Sequence, residues 1–158
     1  MKKIFLFIIL ALFLISCQQK DPLKGLWKLH IMEIQEAETG KWSEWRNGMQ
    51  GYVLYDGDGN MALHLTEKDY QKTDLHFPNF TDTIPLEALK HLTGSYVYFA
   101  KYDFDNSSGI VTHHRISHSN PKEWNGVVER RVSFIADTLV LKPVEEKNAS
   151  LRLKWVKN

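Results

Sequence analysis

From Leu23 onward the chain alternates apolar and polar residues in short runs, the period of a half-buried strand. In Leu23 to Ile34, Trp27, Leu29 and Ile31 alternate with Lys28, His30 and Met32. Gly51 to Tyr55 and Met61 to Leu65 are the next two runs, joined by Asp56-Gly57-Asp58-Gly59-Asn60. Gly and Asn tolerate positive φ, so that join reads as a hairpin turn. Further runs cover Ser95 to Asp105, Ile110 to Ser119, Val127 to Ile135, Leu139 to Val144 and Ser150 to Val156. Turn residues separate them, as at Asn106 to Gly109 and Asn120-Pro121. Glu36 to Gly48 is charged, and Glu67 to Thr83 has no clean period and reads as a loop or lid. Ile84 to Leu92 is the best helix segment: Thr83 or a neighbour caps it, Pro85 suits its first turn, and Leu86, Leu89 and Leu92 form a partial apolar stripe.

This pattern predicts an all-β fold of about eight antiparallel strands with one short helix. Strands joined in sequence lose their exposed edges most completely by closing into an up-and-down barrel. A barrel of about eight strands holds one small ligand inside. A two-sheet sandwich is the alternative.

The first residues follow a different pattern. Lys2 and Lys3 precede twelve apolar residues, Ile4 to Ile15, and then Ser16-Cys17. A membrane span needs about 20 apolar residues, and Gln18, Gln19, Lys20 and Asp21 end the run. The segment therefore reads as a secretory signal, and Leu14-Ile15-Ser16-Cys17 resembles the bacterial lipobox. The expected organisation is a signal peptide over 1–16, a lipidated tether over 17–22 and a folded domain over 23–158. Cys17 is the expected lipidation site, carrying acyl chains such as palmitate. Two or more chains attach stably where one is marginal. Gln18 and Gln19 fit outer-membrane sorting in a bacterial envelope better than an Asp would.

Removing residues 1–16 from 158 leaves 142, the length of one domain with its own core. Eighteen basic residues then face 19 acidic ones, with no basic block, which argues against nucleic acid as a partner. Cys17 is the only cysteine, so its lipidation leaves no thiol for a disulfide, a thiolate metal site or a nucleophile. Five Trp, six Tyr and eight Phe supply large buried area instead. A monomer is expected.

Several stretches together resemble the lipocalin-like domain family of bacteria and fungi, within the broader calycin barrels. They are Gly25-Leu26-Trp27-Lys28-Leu29; Gly51-Tyr52-Val53-Leu54-Tyr55 with Asp58-Gly59-Asn60-Met61; and a series from Tyr98 and Tyr102 through Thr112-His113-His114, Asn120-Pro121, Gly126 and Arg130 to Leu139 and Leu141. The resemblance covers nearly the whole mature chain. It implies a barrel with an internal cavity, and it implies no reaction, since fold does not settle function.

The densest polar constellation is Thr112-His113-His114-Arg115-Ile116-Ser117-His118. On a regular strand His114 and His118 share a face with Ile110 and Ile116, while His113 lies opposite with Val111 and Arg115. The apolar pattern favours His114 and His118 as inward; the resemblance points to His113; a bulge reconciles the two. His114, His118 and His64 supply three nitrogens for a metal, but strand residues four apart are separated by roughly 13 Å, so no metal site is expected. Arg130 lies on the apolar face of Val128, Val132 and Phe134. It must pair there or face a cavity, because an unpaired buried charge is costly. Tyr96, Tyr98, Ala100, Tyr102 and Phe104 share one face as core or barrel lining. No phosphate loop, nucleophile elbow or zinc-protease motif is present, and no cofactor is expected. The reading is a membrane-anchored protein binding a small hydrophobic or amphipathic molecule through Tyr98, Tyr102, His113, His114 and Arg130. Two alternatives are an isomerase- or cyclase-like enzyme using a pocket His and Arg, and a structural or interaction module of the envelope.

Overall fold

The computed structural model describes residues 21–46, 48–75 and 83–158. The signal segment, Cys17 and the tether as far as Lys20 lie outside the described residues, as does the part of the expected lid at 76–82. Among the described residues, nine strands run in chain order: β1 (Gly25–Gln35), β2 (Trp42–Glu44), β3 (Met49–Tyr55), β4 (Asn60–Glu67), β5 (Ser95–Asp105), β6 (Ile110–His118), β7 (Val127–Ile135), β8 (Thr138–Pro143) and β9 (Leu151–Lys157). One helix, α1 (Leu86–Leu92), precedes β5.

From β3 to β9 each strand pairs antiparallel with the next, and β1 pairs with both β3 and β9. That last pairing closes eight strands into the expected up-and-down barrel and rules out a two-sheet sandwich. β2 was not expected. It pairs only with the end of β1, at Glu33 to Gln35, where β1 has parted from β3. The β1–β9 seam carries an ion pair: the buried Glu33 carboxylate accepts from Arg152 Nε at 2.7 Å and lies 3.0 Å from Lys154 Nζ. The Arg152 hydrogen bond, with help from Lys154, holds the Glu33 pKa below the usual carboxylate value.

Two bulges alter which residues face inward. Between Leu29 and Ile31 the register with β9 slips, leaving His30 as the extra residue. Such an insertion reverses the alternation beyond it. Met32 therefore points inward and Ile31 is only half-buried, the reverse of the expectation from unbroken alternation. The second bulge, between Phe99 and Ala100 of β5, leaves Ile116 of β6 extra.

The two ends of the barrel differ. One end gathers the tight hairpins β3–β4, β5–β6 and β7–β8 together with both strand termini near Gly25 and Lys157. Residues 21–24 plug it: Leu23 is fully buried, its carbonyl accepts from Trp27 Nε1 at 2.7 Å, and the Tyr102 hydroxyl donates to the Asp21 carboxylate. The other end carries the described parts of longer connections, including 68–75, 83–94 with α1, and 144–150. The expected caps and stripe of α1 are not formed. Pro85 occupies its N-cap without a side-chain bond, Ala88 is its one buried residue, and Leu86, Leu89 and Leu92 stay exposed. Among the described residues, every strand and every residue of the core lies between 23 and 157. A chain beginning at Gln18 thus carries a complete closed sheet and core, the requirement for folding alone.

Gly51 tests the register of β3. Its φ is +148°, and a Cβ there would sit 2.0 Å from the His64 carbonyl oxygen on β4. Gly51→Ala is expected to destabilise by at least about 1–3 kcal/mol through overpacking against backbone. Urea denaturation measures it; an unchanged midpoint contradicts this packing.

Candidate ligand cavity

Inside the barrel is a cavity of about 330 Å³ that reaches the end with the long connections. Its wall is mostly apolar: Met32 from β1, Met49 and Val53 from β3, Leu63 and Leu65 from β4, and Leu151 and Leu153 from β9. Trp45, Arg46, Glu67 and Tyr96 also line it. Arg46 stacks on Trp45 at 4.1 Å. Met32 reaches the wall only because of the bulge at His30.

Three polar groups meet deeper in. His113 is buried on the inner face of β6, within hydrogen-bond reach of Tyr98 of β5 and Tyr55 of β3. The Tyr55 hydroxyl lies 2.9 Å from His113 Nε2, and the Tyr98 hydroxyl lies 2.9 Å from His113 Nδ1. Burial, reinforced by the positive charges of Arg130 and Arg115, pulls the His113 pKa down to about 3. Burial pushes both tyrosines above their ordinary value. At neutral pH all three side chains are uncharged.

Arg130 sits diagonally from His113 on the inner wall, since Arg130 pairs with Val111 and Val128 pairs with His113. It pairs as a cation on an apolar face must. Its Nη1 donates to both Glu145 carboxylate oxygens at 2.9 Å and to the Glu129 carbonyl at 2.7 Å. Its Nε and Nη2 have no acceptor among the described residues, and Arg130 lines the cavity.

Of the five residues expected to contact a ligand, Tyr98, His113 and Arg130 come together here. His114 does not. It is exposed on the outer face, 3.4 Å from Asp103, because the strand is regular up to Arg115 and puts His113, not His114, inside. Tyr102 is buried against Tyr55 but belongs to the plugged end, where it bonds Asp21. The bulge at Ile116 turns His118 inward as well, so His113 and His118 both face in, five residues apart. His118 stacks on Tyr98, with ring planes 4° apart, and its Nδ1 accepts the Asn120 N–H at 2.8 Å.

Arg115 was not singled out from sequence. It is buried, donates to Glu123 at 2.7 Å and lies 5.8 Å from the Tyr98 ring. Its alternation with His113 and Val111 was the available signal. The buried side-chain atoms without a partner among the described residues are Arg115 Nε, His118 Nε2 and Trp155 Nε1. All are nitrogens that donate; for His118 this follows because Nδ1 accepts, which leaves the proton on Nε2.

A family model described as a lipocalin-like domain matches residues 24–157. This chain belongs to the lipocalin-like domain family. A solved structure described as a lipocalin-like protein from Bacteroides uniformis is similar over 87% of this chain and 100% of that one, with 14% identity and a TM-score of 0.48. No curated protein matches the chain.

The chemistry of this lipocalin-like domain follows from its charges. A general base works best with a pKa near the operating pH. His113 is far below that and has both nitrogens engaged. The cavity's histidine is thus a poor proton acceptor at neutral pH. The same depressed pKa links stability to pH. Between about pH 6.5, the unperturbed value, and about pH 3, the unfolded chain binds a proton at His113 that the folded chain refuses. Its contribution is complete above the unfolded pKa and falls with acidification by at most about 1.4 kcal/mol per pH unit. Urea unfolding between about pH 7 and 5 should show this decline. His113→Gln should lose about 1–3 kcal/mol at neutral pH and show a shallower pH slope. Parallel slopes for the two proteins contradict the assignment.

Proposed function

We propose that the chain is a lipoprotein anchored through Cys17 to a bacterial envelope membrane, in the outer membrane, and that its barrel binds a small hydrophobic or amphipathic ligand. The observation that carries the binding reading is the cavity itself, apolar along most of its wall with Tyr98, His113 and Arg130 converging in it. This combination is the usual composition of a small-molecule site: apolar contact supplies affinity, and a few polar groups fix orientation. The reading as a monomer has support from the closed sheet: among the described residues, β2 is the one strand paired on a single side.

The anchor and the cavity fit one geometry. Asp21 is held at the plugged end by Tyr102, and Cys17 is four residues upstream. Four residues span at most about 14 Å. Lipid at Cys17 keeps the plugged end near the membrane and turns the cavity mouth toward water. The ligand then enters from the aqueous compartment and not directly from the bilayer holding the anchor.

Two measurements test these readings. Cells fed an alkyne-tagged fatty acid should label the wild-type protein, and Cys17→Ser should abolish the label; persistent labelling removes Cys17 as the anchor. Native mass spectrometry of protein purified from its own cells should show an added small mass that denaturation releases. Arg130→Met should retain less of it. A cavity that stays empty at every concentration of cell extract added back contradicts the binding reading.

A further inference from the structure

The protons shared by Tyr55, His113 and Tyr98 can be counted. A neutral imidazole carries one N–H. With both ring nitrogens bonded to hydroxyls, one tyrosine donates to the bare nitrogen and the other accepts from the N–H. The accepting tyrosine keeps its own O–H proton for a different acceptor.

The surroundings decide which tyrosine that is. Tyr55 is fully buried near the plugged end, packed edge-on against Tyr102, and His113 is its one side-chain hydrogen-bond partner among the described residues. A spare O–H proton there has no acceptor, which costs about 1–3 kcal/mol. Tyr98 stands nearer the mouth. It pairs with Leu63, which pairs with Val53, two residues along β3 from Tyr55 toward the open end. Both tyrosines line the cavity, but Tyr98 keeps 3% exposure where Tyr55 keeps 0%. The lower-energy arrangement runs outward: Tyr55 donates to Nε2, Nδ1–H donates to Tyr98, and the Tyr98 proton faces the cavity. Arg130 lines the same cavity with Nε and Nη2 lacking an acceptor among the described residues, and its position is diagonal to that of His113 on the adjacent strand, a backbone spacing of about 7–8 Å.

We propose that His113 carries its proton on Nδ1, that the Tyr98 hydroxyl is a free donor aimed into the cavity, and that the ligand is an apolar molecule bearing a carbonyl oxygen, as a ketone, ester or carboxylate, which meets Tyr98 beside Arg130. This rests on the cavity being a ligand site. Head groups that only donate, such as an ammonium, face donors here and are rejected. Glu145 already balances the charge of Arg130, so a neutral carbonyl and a carboxylate both satisfy the site.

Two experiments on the ¹⁵N-labelled chain from Gln18 onward test it. Long-range ¹H–¹⁵N spectra should show His113 Nδ1 protonated and Nε2 bare. The opposite tautomer places the free proton on Tyr55 and overturns the proposal. Titration with dodecan-2-one, dodecanoate and dodecylamine, followed by tryptophan emission, should show the ketone or the acid binding at least about tenfold more tightly than the amine, the low end for an unmatched buried polar group. Tyr98→Phe should erase most of that preference, and Tyr55→Phe should keep it. Acid tighter than ketone, or equal to it, supports the proposal and tells whether charge is recognised. Equal affinity for all three compounds overturns the proposal and leaves the cavity a ligand site. Binding by none of them overturns the ligand-site reading as well.

Discussion

Residues Trp27 to Ile34 of β1 pair with Leu151 to Lys157 of β9, more than a hundred positions away in the chain. Without that seam the strands form an open meander with two unpaired edges and no enclosed interior. Closing so long a loop has an entropic cost that grows only slowly with length. It is offset by the apolar side chains that closure removes from water, among them Trp27, Leu29 and Trp155, all aligned along the seam. Glu33 and Arg152 face each other across it, and Arg152 also stacks on Trp42 of β2 at 3.8 Å. An opposite-charge cross-strand pair contributes roughly 0.2–1 kcal/mol, and this one also pins the register at the open end. The wall positions Met32, Leu151 and Leu153 depend on that register being kept.

Much of this architecture was legible in the sequence, because a closed antiparallel barrel is built from the signals that sequence carries best. Alternation located eight of the nine strands, and glycine-bearing turns such as Asp56 to Asn60 located the hairpins. What escaped has a common cause. Bulges at His30 and Ile116 break the period of two by one residue, and nothing local marks them, since each is a misfit between two strands distant in the chain. They decide that Met32 lines the cavity and that His113 and His118 both face in. β2 is three residues long and borrows its stability from the end of β1, below the length at which a period shows. The α1 stripe was real as a pattern, but the helix buries Ala88 in place of its leucines.

The site was half legible. Alternation put Tyr98 and Arg130 on inward faces, and the resemblance, which included both, favoured His113 over its neighbour. Their joint chemistry was not visible, because it depends on burial. Two tyrosines and a histidine in water titrate independently; enclosed together they are held neutral and share protons in a fixed order. That neutrality is what suits the cavity to an uncharged or charge-balanced guest. It also argues against a catalytic role for the histidine, since a base with a pKa near 3 has little affinity for a substrate proton at neutral pH. Arg130, balanced by Glu145, adds donors without leaving a bare charge in an apolar wall.

The cavity's occupancy is the central claim, and a crystal structure of the chain from Gln18 grown with dodecan-2-one tests it most directly. The account predicts the alkyl chain inside the barrel and the ketone oxygen about 2.7–2.8 Å from the Tyr98 hydroxyl. An interior filled by protein side chains, or a ketone bound only on the outer surface, contradicts it.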